Sequence, residues 1–184
     1  MAHKNMAHKK APAATTTRPA AAQSTGDGTA VAAPAPHASL YEHAVSLLNA
    51  DNPQGAFELL RSKFSTDPLL KNAFGVCQLR LGNIDQALNL FRGLVLYNGV
   101  CLRPDAPPQM KTNYATALLL SGNIAGCGGV LSEMWDHPTP GVERLRGAIQ
   151  KWKSSLTFWE KLKQLYGGNT VRPVTLDFPP GELI

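Results

Sequence analysis

The chain has no run approaching the roughly 18 uninterrupted apolar residues that a membrane-spanning helix needs. Lysines near the amino terminus are not followed by an apolar stretch, so no secretory signal is expected. Charge is sparse: Asp, Glu, Lys and Arg make up 17%, below the usual quarter or so. Cysteine is scarce and odd in number. Cys77, Cys101 and Cys127 form no CxxC pair, which excludes a disulfide framework and suits reduced thiols in the cytoplasm. The histidines His3, His8, His37, His43 and His137 lack metal-ligand spacing. There is no GxSxG, P-loop or Rossmann glycine signature, and Gly126-Cys127-Gly128-Gly129 follows no predicted strand. No catalytic group, metal site or cofactor is therefore expected, and the chain does not read as an enzyme.

What is present divides into a tail and a helical body. Residues 1–37 consist largely of Ala, Pro, Thr, Gly and Lys, with Val31 their single branched aliphatic. Such a segment cannot bury enough apolar surface to offset the entropy of ordering, so it is expected to be disordered. Its doubled Met-Ala-His-Lys, at 1–4 and 6–9, is consistent with a second start at Met6. Residues 1–40 carry four basic side chains against Asp27, a charge of +3 out of +5. The basic character thus sits mainly in the tail, without the interleaved aromatics that stack on single-stranded nucleic acid. Nucleic acid is not the expected partner.

From Ala38 onward the pattern becomes helical. Asn52-Pro53, Asp67-Pro68 and Thr139-Pro140 each offer a cap followed by proline at the first helical position. Leu70, Phe74, Cys77 and Leu81 recur at spacings of four, three and four, one helix face. These signals predict helices over 39–50, 53–64, 68–81, 83–96, 108–120 and 124–135, with a long seventh over 140–166. Asn83 and Gln86 resemble a capping box. Residues 97–107 read as a loop, and 169–184 as extended. The sixth helix is burdened by Gly126, Gly128 and Gly129, each costing about 1 kcal/mol relative to Ala.

The stronger signal is repetition. Gly-Asn-Ile occurs at 82–84 and again at 122–124, each time between two predicted helices, and Asp51-Asn52-Pro53 is a degenerate earlier copy. In the middle copy Gly75, Gly82, Ala87 and Phe91 mark the register. Ala44, Asp51, Ala56 and Leu60 are their counterparts in the first copy, which also carries Pro68 at its end, and Ala115, Gly122, Cys127 and Leu131 in the third. This pattern resembles the tetratricopeptide repeat (TPR), a helix-turn-helix unit in which small residues let paired helices approach and a large one fills between them. The resemblance covers 38–135, with an insertion near 97–107. It implies an all-α solenoid of three helix pairs that binds other proteins on the concave face of the first helices. Carried over, the groove positions are Tyr41, Val45 and Leu48, then Asn72, Val76 and Leu79, then Thr112, Thr116 and Leu119. Family members that bind acidic C-termini place Lys and Asn at such positions as a carboxylate clamp. Here Tyr41, Val45, Val76, Thr112 and Thr116 stand there instead, so an extended or helical apolar segment is the better-matched ligand.

Two features lie beyond the repeats. Val142, Leu145, Ile149, Trp152, Leu156, Trp159, Leu162 and Tyr166 form one stripe of the seventh helix, predicted to cap the solenoid. A basic amphipathic surface helix is the other reading of that segment. Past it, Val174, Leu176 and Phe178 precede Pro179-Pro180, and this carboxy-terminal tail is expected to dock on the helical body, a groove on a partner being the other reading. The expected function is an adaptor binding another protein. The alternative is a nucleic-acid or membrane-surface binder acting through its amino-terminal tail, with the helices as support.

Overall fold

The computed structural model describes residues 36–62, 66–136, 139–165 and 173–184. The expectation of disorder at 1–37 falls mostly outside them, although the first helix already begins at Pro36. The described residues are predominantly helical. In order they form α1 (Pro36–Asn49), α2 (Pro53–Ser62), α3 (Pro68–Arg80), α4 (Ile84–Val95), β1 (Leu96–Tyr97), β2 (Cys101–Leu102), α5 (Pro108–Leu120), α6 (Ile124–Glu133), α7 (Pro140–Ser155) and α8 (Phe158–Leu165).

Local chemistry accounts for most of these boundaries. Pro68, Pro108 and Pro140 each open a helix, where the missing N–H would have had no partner. Asp67 accepts from the Leu69 N–H at 2.8 Å, and Thr139 from the Val142 N–H at 3.3 Å. The turns within the pairs α1–α2, α3–α4 and α5–α6 share one geometry. Asp51, Gly82 and Gly122 have φ of 54°, 79° and 84°. In each turn the following N–H reaches back five residues: Asn52 to Leu47, Asn83 to Gln78, and Asn123 to Leu118, all at 2.9 Å. This is the Schellman ending, which satisfies carbonyls that the helix leaves open. Glycine enters that left-handed conformation freely, whereas Asp51 adopts it against its own Cβ.

The next helix is capped by Asn in two of the three cases. Asn52 accepts from Gly55 at 2.9 Å and Asn123 from Gly126 at 2.8 Å. A Cβ at either glycine would overlap the capping amide. Gly126 therefore has a reason to be there, and α6 forms despite its glycines. The capping box expected at Asn83 is absent: its amide instead donates to Gln78 Oε1 at 2.8 Å.

From α1 to α6 successive helices pack on one another, and α1, α3, α5 and α7 also touch in sequence, forming one layer. Small residues at the repeat positions lie in the core of all three pairs, and in the middle pair one of them meets its large partner. Ala56, Ala87 and Cys127 are fully buried, as are Ala44 and Ala115. A Cβ on Gly75 would run into the Phe91 ring, so the glycine leaves the room that the ring fills. We expect Ala87→Leu to overpack the equivalent contact and cost about 1–3 kcal/mol. Thermal unfolding indistinguishable from wild type would show that the register is misplaced.

Three further expectations are corrected. Part of the predicted 97–107 loop is a hairpin, with Leu96 opposite Leu102 and Tyr97 opposite Cys101. Its turn residues Asn98 and Gly99 have φ of 50° and 73°, the left-handed pair of a type I′ turn. The sixth helix stops at Glu133, leaving Trp135 exposed under the Arg146 guanidinium, 4.9 Å from the ring centroid. The long seventh helix is two helices. Leu156 turns extended, with ψ 136°. Thr157 and Glu160 then cap α8 reciprocally, Thr157 N–H to Glu160 at 2.7 Å and Glu160 N–H to Thr157 Oγ1 at 3.4 Å. The apolar stripe is split accordingly: Val142, Leu145, Trp152 and Leu156 are buried, whereas Trp159 is 70% exposed, beside an equally exposed Phe158. Tyr166 lies outside the described residues.

Candidate functional site

Residues 173–184 lie across the layer of odd-numbered helices. Val174, Leu176, Phe178 and Pro180 turn inward, and Pro173, Thr175, Asp177 and Pro179 outward, the two-residue alternation of an extended strand. Val174 is 6% exposed and joins the core, with Leu176, Phe178 and Leu183 packed against it. Against α7, Asp177 pairs with Lys151 at 2.5 Å, and Phe178 lies 5.3 Å beneath the Arg144 guanidinium.

Further on, side chains hold the backbone at alternate residues. Arg80, from α3, donates to the Pro180 carbonyl at 3.3 Å and to the Leu48 carbonyl at 2.6 Å. Asn113, from α5, makes a two-way bond to Glu182: it accepts from the N–H at 2.6 Å and donates to the carbonyl at 2.8 Å. Tyr41, from α1, accepts from the Ile184 N–H at 2.9 Å and donates to its backbone oxygen at 2.5 Å. The segment thereby contacts all four odd-numbered helices.

Two residues of the segment are also read through shape or charge. Gly181 has φ 89°, and a Cβ there would overlap Val76. The Glu182 carboxylate meets Arg144 at 2.5 Å. It also sits against Gly141, where a Cβ would displace it, in the first turn of α7, where the helix dipole favours an anion.

Below the segment lies a buried amide pair. Asn113 donates its second hydrogen to Asn72 Oδ1 at 2.9 Å. Because Asn113 also holds Glu182 in both senses, it fixes which way the Asn72 amide points. Asn72 Nδ2 then has no partner, and the residue is 0% exposed. An unmet buried donor costs about 1–3 kcal/mol.

The predicted groove residues fare unequally. Tyr41 and Val76 touch the segment directly, and Asn72 supports it through Asn113. Val45 is half-buried. Leu48, Leu79 and Leu119 are core residues, at most 2% exposed. Thr112 and Thr116 are buried, their hydroxyls turned back to the Pro108 and Thr112 carbonyls of their own helix. Sequence reasoning missed Asn113, Arg80 and Arg144. Asn113 stands one position past Thr112, and an Asn in a largely buried helical stretch was the available signal.

Titration reflects the same burial. Burial raises the Tyr41 pKa, partly offset by its bond to the Ile184 backbone. Arg80 is lowered by burial, opposed by Cys77 and Asp51. The hydrogen bond from Lys151, with its charge, holds Asp177 below its usual value. A lowered carboxyl pKa stabilises the docked segment above the ordinary Asp range, and that contribution is lost as pH falls through the lowered value. Amide exchange at Val174–Phe178 should accordingly speed up, beyond its intrinsic pH dependence, only on acidification below that range. Loss of protection on raising the pH from neutral to mildly alkaline would contradict this.

Burial pushes the Cys77 and Cys127 thiols up to about 12, whereas Cys101 is exposed. We expect a thiol reagent at pH 8 to label Cys101 quickly and the other two only after unfolding, since the thiolate is the nucleophile. Rapid native labelling of all three would refute the packing around Cys77 and Cys127. Among the described residues no group of three or more His, Cys, Asp or Glu is placed to hold a metal ion.

No protein-family profile matches the chain, and neither a curated protein nor a solved structure is significantly similar to it.

Proposed function

We propose that this protein is a TPR-like interaction module whose α1–α3–α5–α7 face binds an extended segment of another protein. The observation that carries the reading is the Asn113–Glu182 pair: one amide serves both backbone groups of a single residue in an extended chain. Such a contact recognises main chain in any sequence, and the neighbouring side chains add selectivity. Repeated Schellman turns at Asp51, Gly82 and Gly122, and the small-to-large contact of Gly75 with Phe91, support the TPR-like part of the reading. The function requires no cofactor, metal or catalytic group. A cytoplasmic location belongs to the same reading and suits the free thiols Cys77, Cys101 and Cys127. No helix among the described residues is long and apolar enough to cross a membrane.

The test is affinity capture with the full chain and with a chain lacking residues 1–35, followed by mass spectrometry. Both should retain the same protein partner, and Tyr41→Phe with Asn113→Leu should lose it. Capture that depends on residues 1–35 and ignores Asn113 would reject the groove and favour the tail-mediated alternative.

A further inference from the structure

The resident segment does not use everything the groove offers. Asn72 keeps an unpaired buried donor two hydrogen bonds away from Glu182, through Asn113. A cavity of about 500 Å³ also runs beside Gly181–Leu183, bounded by Asn49, Arg80, Gln109, Thr139 and Arg144. Two arginines face this space, and of the segment's acidic side chains only Glu182 lines it.

The geometry points to residues 177–184 as a displaceable stand-in, occupying a groove whose partner is another protein's extended segment with glycine followed by an acidic residue. This inference rests on the groove-binding reading above and specifies its ligand. Glycine is required because the backbone at that position has φ 89° and any Cβ would strike Val76. An acid is required next because Arg144 and the first turn of α7 form a cationic seat, opened by the missing side chain of Gly141. Arg80 and Tyr41 hold Pro180 and Ile184 by their backbone, so those two contacts read no side chain.

A second copy of this chain is the poorer occupant. Its tail would bring the same contacts, leave the same donor unpaired and the same cavity open, and compete with a tethered segment at millimolar-scale effective concentration. A different segment gains by meeting Asn72 or by filling the space beside Arg80. Tethering makes the groove closed by default, so an incoming ligand binds with an affinity reduced by the closed fraction.

The probe is a labelled twelve-residue peptide with the sequence of residues 173–184. It is titrated by fluorescence anisotropy against the wild-type chain and against Gly181→Val, whose own segment can no longer seat. We expect Gly181→Val to bind the peptide at least about tenfold more tightly than wild type does. On Gly181→Val, peptides carrying Gly181→Ala or Glu182→Lys should bind at least about tenfold more weakly. Adding Arg144→Glu to the chain should reverse the Glu-over-Lys preference. If Gly181→Val does not fold, a Glu182→Arg chain, in which Arg144 repels the segment, takes its place with the same peptides.

Equal binding by wild type and variant would show that the segment is not in competition and overturn the inference. Altered peptides binding as well as the parent would overturn the glycine-acid rule while leaving groove binding standing. No binding to any folded variant would remove both. Light scattering that finds wild-type dimers lost in Gly181→Val would assign the groove to a second copy and likewise overturn the proposal.

Discussion

Phe91→Ala is expected to destabilise the helical body by about 3–5 kcal/mol, a drop in the unfolding midpoint on the order of 10 °C for a domain of this size. The ring is fully buried and lies over Gly75, whose missing side chain makes its space. Truncation leaves a void that neighbours on two helices cannot close without moving. Coupling gives a sharper check. Gly75→Ala alone forces a methyl into the ring, an overpacking cost of about 1–3 kcal/mol, against a helix-propensity gain of about 1 kcal/mol. With Phe91→Leu in place the clash is relieved, and the same Gly75→Ala change should become neutral or stabilising. Calorimetry on the four proteins reads this directly. Additive effects within about 0.5 kcal/mol would mean that the two residues do not meet.

Asn113→Leu should release residues 173–184 while leaving the helices folded. It deletes both bonds to the Glu182 backbone and the bond to Asn72. At about 1 kcal/mol net per bond, the equilibrium for segment opening should shift by tens of fold to a hundredfold. Hydrogen exchange at Glu182 and at Val174–Phe178 should rise by that factor, with exchange in α3 and α5 much less affected. Unchanged protection at Glu182 would show that the segment's other contacts seat it without Asn113. Loss of protection throughout α3 and α5 would show that Asn113 serves the core rather than the groove.

Much of the helical architecture was legible from residues alone, because its signals are short-range. A proline at N1 has no N–H to lose, which marks Pro68, Pro108 and Pro140 wherever they fall. A left-handed residue that closes a helix selects glycine, which marks Gly82 and Gly122 and, by their spacing, exposes the costlier Asp51. Two short-range signals were present but passed over: Asn98-Gly99 for the hairpin, and Thr157 with Glu160 for the start of α8. Helical periodicity masked the second, since Trp152 and Trp159 fit one face whether or not the chain bends between them.

The sequence by itself determined that residues 173–184 would not be helical, through Pro173, Pro179 and Pro180, and that Val174, Leu176 and Phe178 needed cover. Only the tertiary structure decided where that cover lay. The seat for Glu182 is made by Asn113 on α5, Arg144 on α7 and the gap at Gly141. The backbone on either side is held by Arg80 from α3 and Tyr41 from α1. No local preference couples these positions: Tyr41 and Ile184 are 143 residues apart. Their meeting depends on the stacking angle of successive helix pairs. The summed packing of the whole core sets that angle, so it appears in no single stretch of sequence.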